Sequence, residues 1–122
     1  MKLHASAPSG ANAITAYGDD YVSVNGKRRE SNVIVTAAEV RDWSAPDFAH
    51  LTEENFAELA NLGVEIVLLG TGTRQRFPHP RLTAPLGRAH IGLEVMDTKA
   101  ACRTYNILVA EERRVALALL FE

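Results

Sequence analysis

Two short segments hold the residue types best suited to contacting a small ligand: Gly70-Thr71-Gly72-Thr73-Arg74 and Met96-Asp97-Thr98. Glycines in the first allow backbone N–H groups to turn toward an anion, and Arg74 and Arg76 supply positive charge nearby. A phosphate loop of the nucleotide-hydrolase type needs Lys-Ser or Lys-Thr after its second glycine, and none is present. A dinucleotide fingerprint needs a third glycine where Gln75 stands. A plain exposed turn is the stronger reading of this segment. Asp97 has the residue type and position of a helix cap, accepting N–H groups of its own helix. Its carboxylate would also repel an anion placed beside it. Capping outranks acid catalysis.

No catalytic set accompanies these turns. His4, His50, His79 and His90 are scattered, without the helical or hairpin spacing that gathers metal ligands, so neither metal nor cofactor is expected. Ser6, Ser9, Ser23, Ser31 and Ser44 lie in no nucleophile-elbow setting. Cys102 lies in an apolar helical pattern, where a small buried residue is expected rather than a reactive thiol. Tyr105 shares that apolar face, and a core role for its ring is the better reading. Arginine pairs at 28–29, 74/76 and 113–114 flank apolar segments, as solvated turns do.

The elements that would carry the two turns are readable from periodicity. Residues 1–13 are rich in Ala, Ser, Pro, Gly and Asn and read as a loosely held arm, with a single domain over 14–122. Strand-like segments follow at 14–17, 21–24 and 32–36, with Asn25-Gly26 a hairpin signal and Lys27-Arg28-Arg29 a basic turn. Residues 37–51 read as an ordered loop anchored by Trp43, Pro46 and Phe48. Thr52 is placed to cap a helix over 53–62 that ends at Gly63.

Beyond Gly63 the pattern changes. Residues 64–69, 91–96 and 115–121 are nearly continuous apolar runs, the mark of strands buried on both faces. Between them lie a short helix over 80–88, broken by Pro85, and a longer one from Asp97 to about Glu112. Strand–helix–strand–helix–strand implies parallel pairing and right-handed crossovers, an α/β fold with N-terminal antiparallel strands extending or covering the sheet. The two turns would then share a crevice at the carboxyl ends of adjacent strands. Gly70, Thr71, Gly72, Thr73, Arg74, Met96, Asp97 and Thr98 are the candidate ligand- or partner-binding residues.

Bulk properties bound the possibilities. The chain has 122 residues, 47% of them hydrophobic and 23% charged, enough for one globular domain. A net charge of -2 and a pI near 6.1 give no electrostatic footprint for nucleic acid or an anionic membrane. One cysteine excludes an internal disulfide and fits a reducing compartment. No run is long enough for a signal peptide or a membrane span, so a cytoplasmic protein is expected, without membrane insertion.

Residues 92–98 (Gly-Leu-Glu-Val-Met-Asp-Thr), 100–106 and 111–115 together resemble the Mth938-like family of bacterial and archaeal small domains. That family also includes the third mitochondrial complex I assembly factor. The Gly70-Thr71-Gly72 turn, Tyr17-Gly18 and Val33-Ile34-Val35 match as well, so the likeness covers 14–120. It implies a compact layered α/β domain, no established enzymatic activity, and protein partners belonging to a membrane-associated complex. The chain departs from the mitochondrial relative in lacking an Arg-rich amphipathic transit segment, which points to a bacterial cytosolic protein. No family catalytic residues exist to carry over. Three functions stay open: a non-enzymatic binding or assembly domain, a small-anion or nucleotide-like ligand domain, and self-association through a strand edge.

Overall fold

The computed structural model describes residues 10–122, so most of the arm expected over 1–13 lies outside the described residues. Within them, the Asn12 N–H donates to the Ala37 carbonyl (2.9 Å), and the Tyr105 hydroxyl donates to the Asn12 carbonyl (2.9 Å).

Strands β1 (Ile14–Tyr17), β2 (Val22–Val24) and β3 (Lys27–Arg29) form a small antiparallel sheet in that order. Asn25 and Gly26 both have positive φ, 51° and 84°, which returns the chain directly into register with β2. Lys27-Arg28-Arg29, expected as a turn, is therefore a strand. Its charges are tolerated because β3 is an edge, where charged side chains cost little.

The larger sheet contains β4 (Val33–Thr36), β5 (Val40–Asp42), β6 (Ile66–Gly70), β7 (Gly92–Met96) and β8 (Val115–Leu119). Their spatial order is β5-β4-β8-β6-β7. The three apolar strands of the C-terminal half lie parallel as expected, β6 pairing with β7 on one side and β8 on the other. The N-terminal strands do both things anticipated of them. β4 extends the sheet antiparallel to β8, while β1–β3 covers one face. The three-residue β5, with Arg41 and Asp42 exposing charge, is hidden within the segment expected to be a loop.

β8 is buried along its whole length, but β7 is half exposed and forms the sheet edge, not a second doubly buried strand. Glu94 and Gly92 break its apolar run at alternate positions, which suits an edge with one covered face.

Alternate strand residues feed two cores. Val33, Val35, Leu68, Leu117 and Leu119 meet the small sheet and helix α3 (Thr98–Ala110). Ile34, Val67, Leu69, Ala116 and Ala118 meet helices α1 (Glu53–Ala60) and α2 (Ala84–Arg88). Thr52 caps α1 by a reciprocal box with Asn55, whose amide oxygen accepts the Thr52 N–H (2.8 Å). Pro85 sits in the first turn of α2, where its missing N–H costs nothing, so the helix starts there instead of breaking. Trp43 lies over Phe56 edge-to-face at 6.1 Å, and its indole N–H donates to the Asn55 carbonyl.

Of the α3 side chains that reach the small sheet, among them Lys99 and Arg103, Asn106 is the one that bonds the backbone of β1. Asn106 accepts the Ile14 N–H (2.9 Å) and donates to the Ile14 carbonyl (2.8 Å), imitating a neighbouring strand. Replacing it leaves both groups of a buried residue without partners. Asn106→Ala is expected to lower unfolding free energy by about 1–3 kcal/mol in urea titration. A change within about 0.5 kcal/mol would show that this clamp does not hold the layers together.

Candidate functional site

The two turns meet as the topology requires, and hydrogen bonds fill the space between them. Thr71, fully buried, donates its N–H to the Met96 carbonyl (3.0 Å). Its hydroxyl donates to the Arg74 carbonyl (2.7 Å) and accepts the Arg76 N–H (3.0 Å), closing the loop on itself. Gly72 donates its N–H to the Thr98 hydroxyl oxygen (2.9 Å) and accepts the Thr98 N–H (2.8 Å). The same Thr98 hydroxyl donates to the Leu120 carbonyl (3.1 Å), just past β8. One buried oxygen thus links the ends of all three parallel strands.

Two glycines are demanded by this closeness. A Cβ on Gly70 would lie 2.6 Å from a Leu119 methyl and 3.1 Å from the Thr98 Cα. Gly72 has φ +95°, and a Cβ there would stand 2.7 Å from the Glu122 carbonyl oxygen. Thr73 donates its N–H to that same carbonyl (3.1 Å).

These bonds decide what the loop can offer. The N–H groups of Thr71, Gly72, Thr73 and Thr98 all donate inside the protein, so none is left aimed at an anion. Arg76 is also occupied. Its Nη2 donates to the Thr71 carbonyl (2.9 Å) and to a Glu122 carboxylate oxygen (2.7 Å), with its guanidinium 4.5 Å above the Phe48 ring. The Arg74 side chain is exposed and has no partner among the described residues.

Outside the joint is a depression of about 180 Å³ lined by Gly72, Thr73, Asp97, Thr98 and Lys99, with Gly18 and Asp19 completing it. Gly70, Thr71, Arg74 and Met96 are not in its lining. Gly18 and Asp19 belong to the β1–β2 turn, and no sequence signal places that turn beside the joint; the docking of the small sheet on α3 brings it here. Asp97 caps α3, accepting the Ala100 N–H at 2.9 Å. Lys99 pairs with Asp19 at 3.0 Å, and that hydrogen bond raises the ammonium pKa above its ordinary value. Two carboxylates against one paired ammonium make the depression unfavourable for an anion. Its volume is below the several hundred Å³ usual for a drug-sized ligand.

Nucleophiles nearby are quiet. Burial pushes the Cys102 thiol up to about 12, so thiolate is scarce at neutral pH. Burial likewise raises the Tyr105 phenol, which is committed to Asn12. Met96 accepts the Thr104 hydroxyl through sulfur at 3.5 Å, a packing role. Among the described residues no three His, Cys, Asp or Glu side chains are grouped to hold a metal ion. No helix of the described residues is long and apolar enough to cross a membrane.

Among the described residues two large apolar side chains are exposed, Ile107 on α3 and Phe77 in the loop after Arg76. Phe77 is 71% exposed between Arg76 and Pro78, and Arg81 is exposed and, like Arg74, unpaired among the described residues. Phe77 stands in Arg-Phe-Pro-His-Pro, outside any helical or strand periodicity, so no local pattern marks it.

Comparison with known proteins gives consistent relatives. Residues 14–120 match the family described as "Protein of unknown function (DUF498/DUF598)". The crystal structure of a Bordetella parapertussis protein superposes with a TM-score of 0.87 at 41% identity, covering 94% of this chain and 100% of that one. The solution structure of a Bordetella pertussis protein described as a Mth938-like domain has a TM-score of 0.78 at 36% identity, covering 99% and 92%. NADH dehydrogenase [ubiquinone] 1 alpha subcomplex assembly factor 3 of Bos taurus is 33% identical over 113 residues, covering 88% of this chain. The chain spans only 61% of that relative's length.

The Thr98 bridge is testable by itself. Thr98→Val keeps the shape but strands the Gly72 N–H and the Leu120 carbonyl, and should cost about 1–3 kcal/mol in thermal or urea unfolding. Thr98→Ser keeps the hydroxyl and should cost less. Equal losses in the two variants would mean that the methyl group, not the bridge, matters.

Proposed function

The chain belongs to the DUF498/DUF598 family of proteins of unknown function, and from that premise we propose that it is a non-enzymatic binding and assembly domain. Its partners are other proteins, in the manner of the complex I assembly factor it is similar to, and among them are components of a membrane-associated complex. The observation that carries this reading is the distribution of unsatisfied groups. The backbone N–H groups of Thr71, Gly72, Thr73 and Thr98 are paired inward, while Phe77 and two uncommitted arginines, Arg74 and Arg81, face outward. Exposed aromatic and arginine side chains are the commonest anchors of protein interfaces.

A small ligand, an anion or a nucleotide-like molecule, is the second reading, and one observation favours it. The depression does gather Gly72, Thr73, Asp97 and Thr98 at the carboxyl ends of parallel strands. The paired donors and the two carboxylates around it weigh against an anion.

Affinity capture of the tagged chain at endogenous expression, with quantitative mass spectrometry, separates the two when run beside a thermal-shift panel of nucleotides, phosphosugars and carboxylates. The assembly reading expects the same proteins in near-stoichiometric amounts in every replicate, and no stabilisation by the panel. A ligand at about 100 times its dissociation constant would add roughly 2.7 kcal/mol of stability. Such a shift, with no recurrent protein, would reverse the order of the two readings.

A further inference from the structure

We propose that the open edge of β7, together with the loop over residues 73–81, binds an extended acidic segment of a partner protein as an added strand. This rests on the protein-binding reading above and names the surface and the chemistry of the partner.

Among the described residues β7 pairs only with β6. Gly92 donates its N–H to the Glu65 carbonyl, and the Met96 carbonyl accepts from Thr71, so residues 92, 94 and 96 turn their backbone groups toward β6. In a strand the intervening residues face the other way, which sends the N–H and C=O of Leu93 and Val95 outward. The Val95 carbonyl is taken by the Gln75 side-chain amide at 2.8 Å. The Leu93 N–H, the Leu93 carbonyl and the Val95 N–H have no partner among the described residues. Gln75 thus already occupies one rung where an incoming strand would bond, and it comes from the loop bearing the exposed groups.

That loop sets the sign of the partner. Between Glu65 and Glu94 the chain has four arginines and no carboxylate, within a molecule of net charge -2. Arg76 and Arg88 are paired with Glu122 and Glu53, which leaves Arg74 and Arg81 unneutralised. Phe77 stands two residues from Gln75, within about 7 Å along the chain, as an apolar anchor beside the edge. Backbone bonding along the edge would supply affinity, and arginines with an aromatic anchor would select an acidic strand carrying an apolar residue. A second copy of this chain fits poorly, because edge-to-edge pairing brings Arg74 and Arg81 of two molecules together. Glu94 does not oppose the assignment. It alternates with Leu93 and Val95, which pack on the α1/α2 side, so its side chain is on the opposite face.

The test is NMR titration of the isotope-labelled chain with a capped peptide of sequence Asp-Val-Glu-Phe-Asp-Val-Glu, and with its counterpart bearing Lys at every acidic position. Saturable shifts centred on Leu93, Val95 and Phe77, slowed exchange of the Leu93 and Val95 amides, and at least tenfold weaker binding of the basic peptide are expected. Arg74→Glu with Arg81→Glu should reverse that preference, and Phe77→Ser should weaken binding severalfold. Both changes are at exposed, unpaired positions, so the fold is retained and is verified by the unshifted core amides. No saturable shift up to about 1 mM peptide, or shifts away from β7, overturns the assignment. So does a concentration-dependent dimer by light scattering, or Phe77-dependent binding to vesicles containing phosphatidylserine. The charge-reversed chain also goes through the affinity capture. If it recovers the same proteins as the parent, this surface is wrong while the assembly reading stands. If the parent recovers none, the assembly reading itself has failed.

Discussion

The architecture depends on a single buried hydroxyl that holds together chain segments distant in sequence. Thr98 begins α3, yet its oxygen accepts from the loop after β6 and donates to the residue after β8. Around it the backbones approach so closely that only glycine fits at 70 and 72. The parallel trio β7-β6-β8 is therefore fastened at its carboxyl ends, where α/β sheets commonly open a ligand crevice. Here the backbone donors of the two turns are spent on cohesion, and two depressions lie outside them, one lined by Gly72, Thr73, Asp97 and Thr98 and the other by Thr73, Arg74, Arg76 and Glu122.

The fastening has consequences on both faces. On one, α3 leaves the joint in a direction that lets Ala101, Tyr105 and Val109 seal the inner core, while Asn106 takes hold of β1. On the other, the 73–81 loop is pinned at Thr71 and Arg76, which holds Phe77 outward and lays Gln75 along β7. A surface placed by such rigid anchors is pre-organised, and pre-organisation lowers the cost of binding a partner.

Much of this is legible in the chain alone, for definite reasons. Three long apolar runs separated by helical patterns leave few topologies besides parallel pairing, and Asp97, Thr52 and Gly63 mark helix ends by side-chain chemistry. Other features depend on contacts no local pattern encodes. β3 is all charge and becomes a strand because its hairpin turn delivers it into register. β5 is too short and polar to stand out, and β7 resembles a buried strand until its neighbours are known. For the candidate site, the proximity of the Gly70–Thr73 and Met96–Thr98 turns follows from topology. That their donors are consumed by one another, and that Asp19 arrives from the opposite end of the chain, follows only from packing.

Amide hydrogen exchange at Gly72, Thr73, Thr98 and Leu120 measures the fastening most directly. If the three strand ends are locked by mutual hydrogen bonds, these amides exchange as slowly as those of Leu68 and Leu117 in the sheet centre, with opening free energies near that of global unfolding. Exchange at rates typical of an exposed loop, with the sheet centre still protected, would contradict a closed joint and return the crevice to the position of a binding site.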